Sequence, residues 1–389
     1  MSTSTLRALH PRAKIWHAVL VGAASSVILL GLWDFWPKHN VNRAVDVTPF
    51  LGRKPKVLSL EPQLVPVLIP EKEIREVAQK VVSAASTQTQ STSALLHATR
   101  LSTMVGPGVR EWMERDEAGR IIRLNVGAEV FKDSWRGFEV RQTSSGDRTE
   151  HRDQFLAAIA QMGVSLSCAI GPEREDGRAF AVSDLLQTSL AEFHLKQSEL
   201  SWTATAYALY LPPQLYWSNR YQERFDFDDL TRALIDKPLK SESCSGIHLM
   251  LALTTIMHVD RQSAILRDDT RSILEKYLRM RVAEAVESQL PDGSWPAFWA
   301  KSGFENAGPR LATPAPTFLQ RLTIGGHLLE WLQMLPRDQQ PPESTIKSGL
   351  LWITPQILSM PERDLVPGIC PCTHALLAVN GSLRLTSNR

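Results

Sequence analysis

Charge of one sign is what this sequence most lacks: 43 Lys and Arg against 41 Asp and Glu leave a formal net charge of +2 over 389 residues. A chain so balanced has no basic excess with which to hold phosphates, so no nucleic-acid partner is expected. Cysteine is scarce as well. The four residues Cys168, Cys244, Cys370 and Cys372 are too few for a disulfide scaffold, and the last two, one residue apart, are poorly placed to bridge one another. Thiol or metal chemistry stays open. Aromatic residues amount to only 7%, which is thin for a lumen that must stabilise a cationic polyene with ring faces. No Gly-rich phosphate loop, Gly-x-Ser-x-Gly elbow or His-Glu-x-x-His string occurs, so the best-marked nucleotide, hydrolase and metalloprotease routes are excluded.

What the chain does have begins with an apolar run. Residues 15–33 carry no Asp, Glu, Lys or Arg, with Trp16 at one end and Trp33 and Trp36 at the other. That length and flanking suit one membrane span, with 1–14 as a cytoplasmic tail, 15–36 as an anchor in the lipid bilayer and the body extracytoplasmic. A cleaved signal peptide is the alternative, although no small-x-small site follows the run. Residues 37–150 read as a tether and a small mixed region. Glu71–Ala85 and Leu95–Met104 have helical patterns, and the alternation in 120–126 and 137–143 predicts a hairpin serving as a lid or spacer.

From 151 to about 384 the pattern is helical throughout. Helices are expected over 151–162, 183–194, 198–210, 228–235, 245–258, 269–289, 317–335, 343–360 and 371–379, following caps at one end and Gly or Pro at the other. The 269–289 helix closes on Gln289-Leu-Pro-Asp-Gly-Ser-Trp295. There a Gln amide can bond free helix-end carbonyls, a Gly can turn at positive φ, and Trp295 can pack over the turn, making a clasp between neighbouring hairpins.

That string resembles the Gln-x-x-x-Gly-x-Trp clasp of squalene–hopene cyclases and related prenyltransferase-repeat proteins. The resemblance implies an all-α body, an α/α toroid-like array of helical hairpins alternating between an inner and an outer ring. An internal echo fits it. Cys244-Ser-Gly-Ile-His248, Thr323-Ile-Gly-Gly-His327 and Cys370-Pro-Cys-Thr-His374 each place a histidine after a small or thiol-bearing approach and before an apolar run, as expected if each begins an alternate, inner helix and all three open to one mouth.

Such a mouth has ligand types that suit zinc: Cys244 and His248 stand four residues apart on one helical face, Cys370 and His374 repeat that spacing, and Cys372 adds a second thiolate, so that Cys244, His248, Cys372 and His374 are the candidate ligands. Among toroid families, protein-prenyltransferase β subunits and lanthionine synthetase cyclases hold zinc with Cys and His; here the match is in residue type. Structural cysteines and carbonyl-bound histidines are the competing reading. Glu199 and His327 are candidate acid–base groups, and Trp202, Tyr207 and Trp295 candidate ligand contacts. Asp226-Phe-Asp228-Asp229 matches the Asp-x-Asp-Asp acid string of hopene cyclases, with Asp228 its catalytic candidate; the competing reading is a helix cap. Two functions follow: an enzyme working in the cavity by metal or acid–base chemistry on an unnamed substrate, or a non-catalytic envelope scaffold binding an extracytoplasmic ligand or protein.

Overall fold

The computed structural model describes residues 54–56, 58, 71–86, 96–97, 100–101, 113–117, 121–124, 131–134, 137–140, 151–171, 179–213, 216–300, 317–365 and 368–383. All belong to one compact unit that begins at Ala44. The fold is helix-rich. Its helices are α1 (Glu71–Ser86), α2 (Gln154–Gln161), α3 (Val182–Ala191), α4 (Leu200–Tyr210), α5 (Phe227–Ile235), α6 (Ile247–Ser263), α7 (Asp268–Ser288), α8 (Phe318–Met334), α9 (Glu343–Leu358), α10 (Glu362–Leu365) and α11 (Ile369–Leu383).

Two kinds of helix alternate along the chain, and composition explains both. Every residue of α4 is buried, as is α6 from Ile247 to Asp260; both are apolar on all sides, which only a helix packed all round can tolerate. By contrast α7 buries Leu274, Tyr277, Leu278, Arg281, Val282 and Ala285 and leaves its other face in water. Each fully buried Leu, Ile or Met on the enclosed helices contributes about 1.5–3 kcal/mol. In space α4 packs between α2 and α6, α8 packs between α6 and α11, and α7 and α9 lie against α6 and α8. Specific polar contacts fix the row: Trp331 Nε1 donates to Thr254 Oγ1 (3.0 Å), and Gln333 Nε2 donates to the Ala378 carbonyl (3.0 Å).

The expected clasp closes α7. Gln289 Nε2 donates to the carbonyls of Gly293 (3.0 Å) and Thr345 (2.9 Å), the second on α9. Trp295, fully buried, donates to the Ala285 carbonyl at 2.8 Å. Gly293 sits at φ +91°, and a Cβ there would come within 2.2 Å of the Ser348 carbonyl oxygen, so glycine is required both by the turn and by the close approach of α9.

Two expectations are corrected. Strands form in both stretches where alternation placed them, but these do not pair as the expected hairpin, and among the described residues four further two-residue strands lie within the body expected to be all-α. β2 (Ile121–Leu124) pairs antiparallel with β1 (Met113–Arg115) and parallel with β5 (Ala169–Ile170), which in turn meets β6 (Phe180–Ala181). β4 (Gly137–Val140) pairs with β3 (Phe131–Ser134), and β7 (Trp217–Ser218) with β8 (Arg224–Phe225). The nearest complementary edges won over the pairing inferred from alternation alone. The single-pass membrane placement is also withdrawn, because no helix among the described residues is long and apolar enough to cross a membrane. The segment 15–36 that carried it lies outside the described residues. The stretch read as a tether is fixed at one point, where Lys56 Nζ donates to the carbonyls of Ala208 (3.0 Å) and Leu211 (2.7 Å) at the end of α4.

Candidate metal centre

The three histidines of the echo converge. His248 lies second in α6, His327 tenth in α8 and His374 sixth in α11, so only the first is at a helix start and the expectation of three N-terminal turns is corrected. Their rings nonetheless meet: His327 and His374 stack with centroids 3.4 Å apart, and His248 stands edge-on at 4.9 Å from His327 and 5.7 Å from His374. The close approach has a local cause. Gly326 faces the backbone of Ala375, where a Cβ would meet the amide nitrogen at 2.8 Å, so its bare Cα lets α8 and α11 touch beside both imidazoles.

Each of the two stacked rings has one nitrogen spoken for. His327 Nδ1 lies 2.7 Å from the Thr323 carbonyl, which can only accept, so that nitrogen carries the proton. His374 Nδ1 lies 2.5 Å from Glu330 Oε2, and Arg100 Nη2 donates to Glu330 Oε1 at 2.6 Å. Burial would raise the Glu330 carboxyl, but Arg100 and His374 outweigh it and hold it down at about 2. It is therefore an acceptor. Both Nε2 atoms are buried without an oxygen or nitrogen partner, and both rings interact with the Cys370 thiol. Burial, reinforced by His327, also pushes His374 down, and burial followed by His327 and His374 pushes His248 well down. Neutral imidazoles with one bare nitrogen and the other tied to an oxygen are the form in which histidine binds metal.

Thiols complete the cluster. Cys370 opens α11 four residues before His374, on the same helical face. Cys244 comes from a short 3-10 turn in which Cys244, Ser245 and Gly246 are all left-handed, at φ 50°, 56° and 78°. Two non-glycine residues held in that region cost on the order of 1–3 kcal/mol each, and such strain concentrates at functional sites. A hydrogen bond from Cys244 holds the Cys370 thiol well below its ordinary value against burial, and the same bond pushes Cys244 well up. Of this pair, Cys370 is the thiol shifted toward ionisation.

Among the described residues, three groups of potential ligand atoms lie within 4.8 Å of one another: His97, Cys370 and His374; Cys244, His327 and Cys370; His248, His327 and His374. Cys370, His327 and His374 each belong to two. Around a tetrahedral ion, ligand atoms stand roughly 3.3–3.8 Å apart, so closure by at most about 1.5 Å would seat one. These buried His and Cys groups can hold a metal ion.

Other expected site residues fall elsewhere. Cys372 is not at the cluster. It lies on the far side of α11 from Cys370, two residues away, its Sγ 3.2 Å from Met360 Sδ, and burial pushes its thiol up to about 12. Tyr207 is a core residue packed on Phe193 and Trp217, its hydroxyl 3.0 Å from Ser189 Oγ, and Trp295 belongs to the clasp. Trp202 does reach the site, its ring 4.3 Å from that of His248. Asp226 and Asp229 cap α5 reciprocally, each side chain accepting from the other's backbone N–H at 2.9 and 3.2 Å. Asp228 is paired with Arg267 at 3.2 Å. These are the contacts of a helix cap.

Glu199 precedes α4 at φ 56° and is held by His151 Nδ1 (3.1 Å) and Ser243 Oγ (2.6 Å). Burial opposes its ionisation, yet these two partners lower its pKa overall. A carboxyl lowered in the folded state adds stability above its unfolded value, near 4.5, and loses it as pH falls through the lower folded value. Acid unfolding followed by circular dichroism is therefore expected to be less steep for Glu199→Gln than for the wild type below about pH 4.5; parallel acid limbs would refute this.

Sequence reasoning noted Cys370 four residues before His374 but chose Cys372 as the ligand, and it missed His97, Arg100 and Glu330. The four-residue spacing of Cys370 and His374 was a usable signal; nothing local marks the other three. Comparison with known families, with curated proteins and with solved structures finds no match.

Proposed function

We propose that this chain is a zinc-dependent enzyme of the α/α toroid type, with α2, α4, α6, α8 and α11 as the inner arc and the His/Cys cluster as its centre. The observation that carries the reading is the pair of stacked imidazoles, His327 and His374, each with one nitrogen held by an oxygen and the other buried without an oxygen or nitrogen partner, grouped with the Cys370 thiol within ligand-atom reach. Mixed nitrogen and sulfur donors favour zinc over magnesium or calcium. When bound, zinc supplies Lewis acidity toward water or a carbonyl. His248, neutral and packed on Trp202, is the general base of this reading, and Cys370, His327 and His374 are ligands, with Cys244 beside them. The Gln289 to Trp295 clasp and the alternation of enclosed and one-faced helices support the toroid family.

A second reading is favoured by one observation. The three imidazoles are at most 6% exposed, and closed centres are commonly structural; the chain would then be a zinc-stabilised binding scaffold. Elemental analysis of the purified full chain tests both, with roughly one equivalent of zinc expected and its absence from zinc-replete protein sinking them together. Chelation separates them: an enzyme centre gives up zinc with the helical circular dichroism intact, whereas a structural one unfolds.

A further inference from the structure

Residues 96, 97, 100 and 101 are helical, and this short stretch precedes the helical body in sequence, yet it meets the centre at two points. His97 is 4% exposed, its ring stands 5.6 Å from that of His374, and its Nδ1 is buried without a hydrogen-bond partner. One ligand atom of His97 lies within 4.8 Å of those of both Cys370 and His374. Arg100, three residues on, bonds Glu330 at 2.6 Å, and Glu330 in turn holds His374 at 2.5 Å.

We infer that His97 is a ligand of the metal centre, supplied by a segment outside the row of buried helices and locked in place through the Arg100, Glu330 and His374 chain. This rests on the metal reading above. A buried imidazole nitrogen with no partner is costly, and a histidine packed for structure alone would be expected to find a carbonyl or hydroxyl. The chain of charges has a second consequence. Arg100 keeps Glu330 ionised, Glu330 fixes the His374 tautomer, and the same bond ties down a residue three positions from His97, so ligand and orienting group arrive together.

The test uses the full chain loaded with cobalt(II) as a spectroscopic substitute for zinc. His97→Ala is expected to lower cobalt affinity about 10–100-fold and to change the ligand-field bands, with the helical circular dichroism retained. Because removal of a buried ring can disturb packing, His97→Cys provides the positive control: a thiolate at that position should retain the metal and add sulfur-to-cobalt charge-transfer intensity. Arg100→Ala should weaken binding, and Arg100→Lys should restore part of it. Unchanged affinity and bands in His97→Ala, together with no added charge-transfer intensity in His97→Cys, would overturn the inference while leaving the metal centre standing. A wild type that takes up no cobalt or zinc would overturn both.

Discussion

Replacing Cys370 with serine is expected to weaken zinc binding by roughly two to three orders of magnitude, whereas replacing Cys372 should leave it nearly unchanged. The size follows from sharing. A zinc site of four protein ligands has an apparent binding free energy of about 10–16 kcal/mol, so one ligand accounts for roughly 2.5–4 kcal/mol, or about 10²–10³ in affinity. The contrast follows from geometry, since Cys370 belongs to two of the three ligand groups and Cys372 packs against Met360. Competition titration with a chromophoric chelator measures both variants. Equal losses, or a loss confined to Cys372→Ser, would remove Cys370 from the centre. His248→Ala combined with His374→Ala should also depart from the sum of the single changes, because groups serving one site are not independent.

The second large effect is expected at a residue that touches no metal. Gly326→Val puts side-chain atoms where a Cβ alone would lie 2.8 Å from the Ala375 amide nitrogen and 3.1 Å from its Cα. Backbone cannot swing aside as a flexible side chain can, so α8 and α11 must separate. Valine is a better helix former than glycine by a few tenths of a kcal/mol, but overpacking of this kind costs about 1–3 kcal/mol. Stability should therefore fall by roughly 1–3 kcal/mol, measured by urea unfolding. Metal affinity should fall with it, because His327 and His374 flank the contact and their 3.4 Å stacking depends on it. A Gly326→Val chain with wild-type zinc affinity would show that the stacking of the two rings does not form the site.

Much of the fold was legible along the chain because helices are stopped and started locally. Pro212 and Pro213 follow α4, Asp226 caps α5, Thr317 caps α8, and the turn after Gln289 ends α7; each signal acts within a few residues of itself. The clasp was legible for the same reason, since Gln289, Gly293 and Trp295 lie within one turn. The strands were less so. β2 draws its parallel partner from β5 in a later segment, and alternation tells which residues face one way, not which edge lies alongside.

The sequence by itself determined that enclosed and one-faced helices alternate, and that three histidines follow comparable approaches, because both are periodic properties of neighbouring residues. Only the tertiary structure decided which groups meet. Cys370 rather than Cys372 meets the cluster because it shares the helical face of His374 and that face packs against α8, whereas Cys372 packs on Met360. His97, Arg100 and Glu330 enter because a segment from early in the chain closes on α8 and α11. A side chain's spacing fixes its face on its own helix, but its partners across a core depend on how several helices pack at once, and that information resides in no single stretch of the chain.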